Sequence, residues 1–300
     1  MVTQIYTSSH QIYPKVDQST YFQSLTTPPR PIKIPFQKSP KKKYECLPAF
    51  GGQDGDEGGQ NEIEIVFMVI YNSMQNPWKN LPKKAPYILT HDQKVIKAFN
   101  KRVAKEYKIN EKLLPDPFLG KPKAPVVLLN LNPGMDGTES KLHKDPSFRP
   151  AFFANLRHEH ASFYYFDRKF KNTSGSTWWR RKMKEIIFEL TKSLKDEQKT
   201  LDLLGKKIFV IEYFPYHSKK FHNPGRIGSQ DYNVHLVRQA IKRNALIIMM
   251  RGEKKWLKLV PELKRKKYPT LKSPQAAALS RRNLGNRVFN KLIKKLNSNG

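Results

Sequence analysis

The chain has 300 residues, a net charge of +31 from 56 Lys and Arg against 25 Asp and Glu, and 38% hydrophobic residues. One cysteine, Cys46, excludes an intrachain disulfide framework, a Cys-ligated zinc site and an iron–sulfur cluster. No apolar run reaches the ~20 residues of a membrane span, and the N-terminus lacks a signal-peptide core, so an intracellular protein, cytoplasmic or nuclear, is expected.

A positive surplus of this size favours a polyanionic partner, nucleic acid first. An anionic membrane surface and a general lysine bias are the alternatives.

Residues 1–60 read as a disordered Pro/Lys/Gly-rich tail and linker. Pro28-Pro29-Arg30-Pro31 favours extended backbone, Lys41 to Lys43 form a basic run, and Gly51 to Gly59 is glycine-rich. Asp54 and Asp56 lack the spacing of a calcium loop. Ile63 to Tyr71 is β-branched enough for a strand. An α/β domain is expected over residues 76–300.

Within that domain, Thr90 or Asp92 caps a helix expected to run to Tyr107, with Val95, Phe99, Val103 and Tyr107 on one face. Val126 to Leu129 reads as a buried parallel strand that breaks at Asn130-Leu131-Asn132-Pro133-Gly134, where Pro ends the ladder and Gly permits a turn. A short helix follows over Pro146 to Arg157 with Phe148, Phe152, Phe153 and Leu156. A long one then begins near Ser176 with Trp179, Met183, Ile186, Ile187 and Leu190 inward.

Lys206 to Phe214 is a second strand, ending at Pro215-Tyr216-His217-Ser218. Asp231 to Arg243 is helical, Ala245 to Met250 a third strand, and Glu253 to Lys264 a helix. Tyr268 to Leu271 is a last short strand and Asn283 to Leu296 a closing helix. Strands alternating with helices predict a three-layer α/β/α fold with a mostly parallel central sheet.

Loops at the carboxyl ends of such strands share one edge, where open α/β sheets bind their ligands. There the chain gathers Asn132, Tyr213, Phe214, Tyr216, His217 and Tyr268, an amide and aromatic set suited to a planar ring. His217 is a candidate acid or hydrogen-bond donor. His158-Glu159-His160 lacks a third ligand and is set aside as a metal site. No glycine-rich phosphate loop, Walker motif, dinucleotide fingerprint or nucleophile elbow occurs.

Leu131-Asn132-Pro133-Gly134 resembles the Gly-x-Asn-Pro-Gly motif of the uracil-DNA glycosylase superfamily, in its mismatch-specific and single-strand-selective branches. Tyr268-Pro269-Thr270-Leu271-Lys272-Ser273-Pro274-Gln275-Ala276-Ala277 is similar to the single-strand-selective branch's His-Pro-Ser-Pro-Arg-Asn-Pro-Gln-Ala-Asn. Glu212-Tyr213-Phe214-Pro215 falls where that branch has Asn-Tyr-Cys-Pro. The likeness runs from about Ala85 to Leu296 by order of elements.

It implies excision of a damaged or deaminated base, extruded from DNA that is single-stranded in one branch, by a monomer without metal or cofactor. Asn132 would hold the attacking water, and Phe148, Phe152 or Phe153 would stack on the base. Lys272 and Leu279 would fill the vacated stack, while Lys272, Arg281 and Arg282 would track phosphates.

Two positions depart from the family. Tyr268 stands for its His and can offer only a neutral donor, with His217 as substitute from the neighbouring loop. Glu212 stands for the Asn that reads a pyrimidine. Taken as ionised it accepts only, which rejects uracil's O4 and favours a ring presenting a donor. A non-catalytic nucleic-acid-binding protein on the same fold is the alternative.

Overall fold

The computed structural model describes residues 74–159 and 162–298. The expectations for the tail 1–60, with Cys46, Asp54 and Asp56, and for a strand at Ile63 to Tyr71 lie outside the described residues, as does His160.

The fold is mixed α/β around a four-stranded sheet: β1 (Phe118–Gly120), β2 (Val126–Asn130), β3 (Ile208–Glu212) and β4 (Leu246–Met249), in the order β1-β3-β2-β4. β2 pairs in parallel with β3 on one side and β4 on the other, while β1 runs antiparallel to β3. Every residue of the three parallel strands is buried. A strand buried on both faces needs no polar alternation, which is why VVLLN, IFVIE and LIIM read as continuous apolar runs.

The helices are α1 (Thr90–Arg102), α2 (Glu139–Leu142), α3 (Phe148–Arg157), α4 (Ser174–Lys182), α5 (Lys184–Leu194), α6 (Glu197–Lys207), α7 (Gln230–Lys242), α8 (Glu253–Leu259), α9 (Arg281–Leu284) and α10 (Asn286–Asn297). The connection from β2 to β3 and the one from β3 to β4 run in opposite directions across the sheet. Right-handed crossovers put such connections on opposite faces, so the loops after β2 and β3 part and leave a crevice between the strand ends.

Several boundaries differ from those expected, each for a local reason. α1 stops at Arg102 and not Tyr107, because the Asn100 amide clasps both backbone groups of Ile109 (3.0 and 2.8 Å) and turns the chain back. The long helix divides at Met183, which leaves helical geometry at φ −105° and ψ 11° and is itself fully buried.

The closing helix divides at Gly285, whose φ of 80° suits a residue without Cβ. α6 was not foreseen, since its sequence is mostly polar and its buried face holds only Thr200, Leu201, Leu204 and Gly205. β1 was also missed, being three residues behind a proline. The strand expected at Tyr268 to Leu271 reduces to a single bridge, Thr270 to Met249.

Candidate functional site

A cavity of about 300 Å³ opens in that crevice, at the small end of the range for small-molecule sites. Its floor is the cross-strand pair Asn130 and Glu212, the last residues of β2 and β3, directly opposite in register. The ladder continues past them: Tyr213 N–H donates to Asn130 O at 3.2 Å and Phe214 N–H to Leu131 O at 2.9 Å. Trp256 Nε1 also donates to Asn130 O at 2.7 Å, so the strand ends are held from two sides.

Asn132 lines the cavity and is 5% exposed. Its Nδ2 donates to Ser218 Oγ at 3.3 Å and to Pro133 O at 3.0 Å, leaving Oδ1 as the amide's unused acceptor. The turn bearing Asn132 is tied to the next loop by His217, whose Nδ1 lies 2.7 Å from Gly134 O. His217 Nε2 faces Asp116 Oδ2 at 3.5 Å, and Tyr164 Oη donates to Asp116 Oδ1 at 3.0 Å.

These contacts set the charges. Burial penalises a charged His217, but the Asp116 carboxylate and Gly134 carbonyl outweigh it and hold the imidazole above its ordinary pKa. Burial likewise opposes an ionised Asp116, and His217 and Tyr164 overcome it, so the carboxyl titrates below its usual range. Neighbouring His143 shows the opposite case. Burial and the His217 charge take it down to about 4, and its Nδ1 accepts from Leu114 N–H as a neutral ring must.

Glu212 overturns the expectation of an acceptor-only carboxylate. Burial in the cavity floor pushes its pKa from 4.5 up to about 8, against the opposing pull of Asn130, Arg251 and His217. At neutral pH it is mainly a carboxylic acid, one donor and one acceptor. Oε1 accepts from Asn130 Nδ2 at 2.8 Å, while Oε2 and Asn130 Oδ1 are buried without any partner.

The walls are Phe118, Tyr165, Trp178 and Trp179, with Arg251 delivered by the end of β4. Gly175 makes this packing possible: a Cβ there would sit 2.3 Å from the Tyr165 ring. Lys182 lies 5.3 Å over the Trp178 ring, close enough to Arg181 and Arg251 that burial and those two charges lower its pKa.

Of the residues singled out from sequence, Asn132, Glu212 and His217 meet in this cavity. Tyr268 does not line it. Its ring packs beneath Lys266 at 5.9 Å, and the following Pro269 carbonyl is engaged by Met249 N–H. Tyr213 and Phe214 are buried against Trp256, Phe221 and Tyr216 outside the lining. Phe152 is fully buried between Phe148 and Phe153, and Phe153 lies under Arg149.

The Lys272–Leu279 loop is tied down by Asn283, whose amide bonds Ser273 and Ala278, and Leu279 is buried with its N–H on Lys182 O. Lys272 and Arg282 are exposed, whereas Arg281 is engaged by Glu185, Asn290 and the Phe289 ring. His158 caps α3, stacked on Phe118 and 2.9 Å from Tyr232 Oη.

Sequence reasoning missed Asp116, Tyr164, Tyr165, Trp178, Asn130 and Arg251. Asn130 and Arg251 carried a signal, the first ending a buried strand and the second lying two residues past another's carboxyl end. Asp116 carried none, since it comes from the approach to an unforeseen strand.

Among the described residues, no three His, Cys, Asp or Glu side chains are grouped to hold a metal ion, and no helix is long and apolar enough to cross a membrane. Compared with protein-family models, curated proteins and solved structures, the chain matches none.

Proposed function

We propose that this chain is a uracil-DNA-glycosylase-like enzyme, on a three-layer α/β/α domain, that hydrolyses the N-glycosidic bond of a damaged or deaminated base in DNA. The observation that supports it is one cavity in which Asn132 lies beside two carboxyl groups in opposed surroundings, Asp116 facing His217 and the Tyr164 hydroxyl and Glu212 buried with a single amide donor. Environments that drive two carboxyls apart mark an acid–base division of labour.

In this reading the base enters against Trp178 and Tyr165, and its edge meets Glu212. The bond from the sugar anomeric carbon to the base nitrogen breaks with its electron pair leaving on the base. Asp116 faces the positive charge that grows on the sugar, and Asn132 Oδ1 holds the water that adds to the anomeric carbon; one water proton is released and the departed base takes one up, so sugar hydroxyl and neutral base result. The Glu212 O–H hydrogen bond strengthens as negative charge collects on the base, the task the family gives to the His that Tyr268 replaces. A neutral Glu212 also readmits uracil, whose O4 needs a donor.

Arg251, Arg181 and Lys182 supply charge for the phosphates. The partner is DNA, single-stranded DNA included, and the proposed reaction needs no cofactor. The working unit is a monomer in the cytoplasm or nucleus.

The test is incubation with single- and double-stranded oligonucleotides carrying uracil, hypoxanthine, xanthine or an alkylated base, followed by alkaline cleavage. Strand breaks are expected with the native chain and not with Asn132→Ala. Breaks undiminished in that variant, or none from any substrate, overturn the proposal. The second outcome, with salt-sensitive DNA binding, supports a non-catalytic nucleic-acid-binding protein on the same fold. The position of Tyr268 away from the cavity favours that alternative.

A further inference from the structure

We infer that the cavity selects cationic heterocycles, so that its preferred substrates among damaged bases are ring-alkylated purines carrying a positive charge. The inference rests on the base-excision reading for the substrate, while the charge preference follows from the lining itself.

The chain has 56 Lys and Arg against 25 Asp and Glu, yet its cavity inverts that ratio. Asp116, Asp136, Glu139 and Glu212 line it, and Arg251 is the one lysine or arginine among the described residues that do. With Glu212 counted as neutral and His217 as protonated, three carboxylates still outnumber two cations. A cleft lined by one sign concentrates ions of the other. Charge on the outer surface beyond ~8 Å is largely screened at physiological salt, so the lining decides.

These carboxylates are within a ligand's reach. Asp136 is exposed, and Asp116 and Glu139 are part-exposed. Glu139 accepts from the backbone N–H groups of Asp136 and Gly137 at 2.8 and 2.9 Å, which folds its carboxylate onto the loop after Asn132. Thr138 Oγ1 lies 2.7 Å from Asp136 Oδ1 and 3.0 Å from Ser174 Oγ, joining that loop to the start of α4. The charges of Asp116 and Glu139 both reach Tyr165 and His217, so acids and an aromatic wall share one part of the cavity. Arg251, by contrast, stands with Lys182 and Arg181 near Trp178, the groups assigned to phosphates.

Bond cleavage suits this distribution. In a cationic purine the glycosidic electron pair moves onto the ring and cancels its positive charge, while positive charge appears on the sugar, towards Asp116. Water then adds to the anomeric carbon and releases one proton to solvent, leaving a sugar hydroxyl and a neutral base. A base that starts neutral must depart with negative charge, and only Glu212 can donate to it against three carboxylates that repel it.

The test uses the full chain and two small ligands followed by calorimetry or ligand-detected NMR at neutral pH. 9-Methyladenine is uncharged and carries a methyl where the sugar would attach. 7,9-Dimethyladeninium is the same ring with one further methyl and a fixed positive charge. At low salt the cation is expected to bind about tenfold tighter. That preference shrinks in high salt and in the double variant Asp136→Asn with Glu139→Gln, which keeps the side-chain shapes and removes two charges. Binding of the neutral ring stays unchanged in both, which separates charge from the fit of the added methyl.

Equal binding of the two rings, a preference that neither salt nor the double variant moves, or no saturable binding up to ~10 mM overturns the inference. Oligonucleotide cleavage separates the two proposals. Release of 7-methylguanine that falls in the double variant, with uracil release unchanged, supports both. Release without any charge preference leaves base excision standing and removes the selection. A charge preference without release from any substrate keeps the cation site and removes its assignment to excision.

Discussion

Glu212 and Asp116 carry the same functional group, and one cavity holds them in opposite states for different reasons. Asp116 has His217, whose pKa it raises, and a phenol donor, whereas Glu212 has burial and a single amide. For Glu212 the folded-state pKa of about 8 lies above the ordinary 4.5, so folding takes up a proton. The resulting stability is complete below 4.5 and is lost as pH rises through 8. Its size is on the order of a few kcal/mol. Thermal unfolding of the native chain should therefore lose ground to Glu212→Gln as pH goes from 5 to 8.5, and parallel profiles would refute the assignment. On the proposed base-excision function, Asp116→Asn removes the anion assigned to face the sugar, and with it the partner that raises the His217 pKa. Single-turnover cleavage should fall about 10²–10³-fold, with the pKa of His217 dropping in NMR titration.

At the scale of elements, the cavity depends on how closely α4 approaches the aromatic turn at Tyr164–Phe166. Gly175 is the point of contact, with the Tyr165 ring occupying the volume of its missing Cβ. Gly175→Ala must displace that ring and should cost about 1–3 kcal/mol in denaturant unfolding. An unchanged midpoint would show that the contact yields freely. The strand ends have a similar dependence, because Asn130 is held through its backbone by Tyr213 and Trp256 while its side chain holds Glu212. The Lys272–Leu279 loop is the contrasting case. Asn283 fixes it and Leu279 is buried, so filling a vacated base stack would require those bonds to break.

Across the whole molecule, the +31 charge favours a polyanionic partner, and Arg251 is the arginine that lines the cavity. On the proposed function, DNA binding should weaken linearly in log salt, and Arg251→Ala should reduce the slope by about one ion while leaving the fold unchanged. A slope unaltered by that change would put the phosphates elsewhere. The sequence by itself determined the parallel strands, because a strand buried on both faces is a local apolar run. It also determined Asn132, because a strand end broken by Pro-Gly is a local event. Charge and the single cysteine, too, are properties of composition alone. Only the tertiary structure decided which strand ends are neighbours, and with that the pairing of Asn130 with Glu212, the arrival of Asp116 and Arg251, and the departure of Tyr268. It also decided the protonation of Glu212. A pKa depends on burial and on charges far along the chain, so a glutamate that read as an ionised acceptor has its pKa raised by burial to about 8.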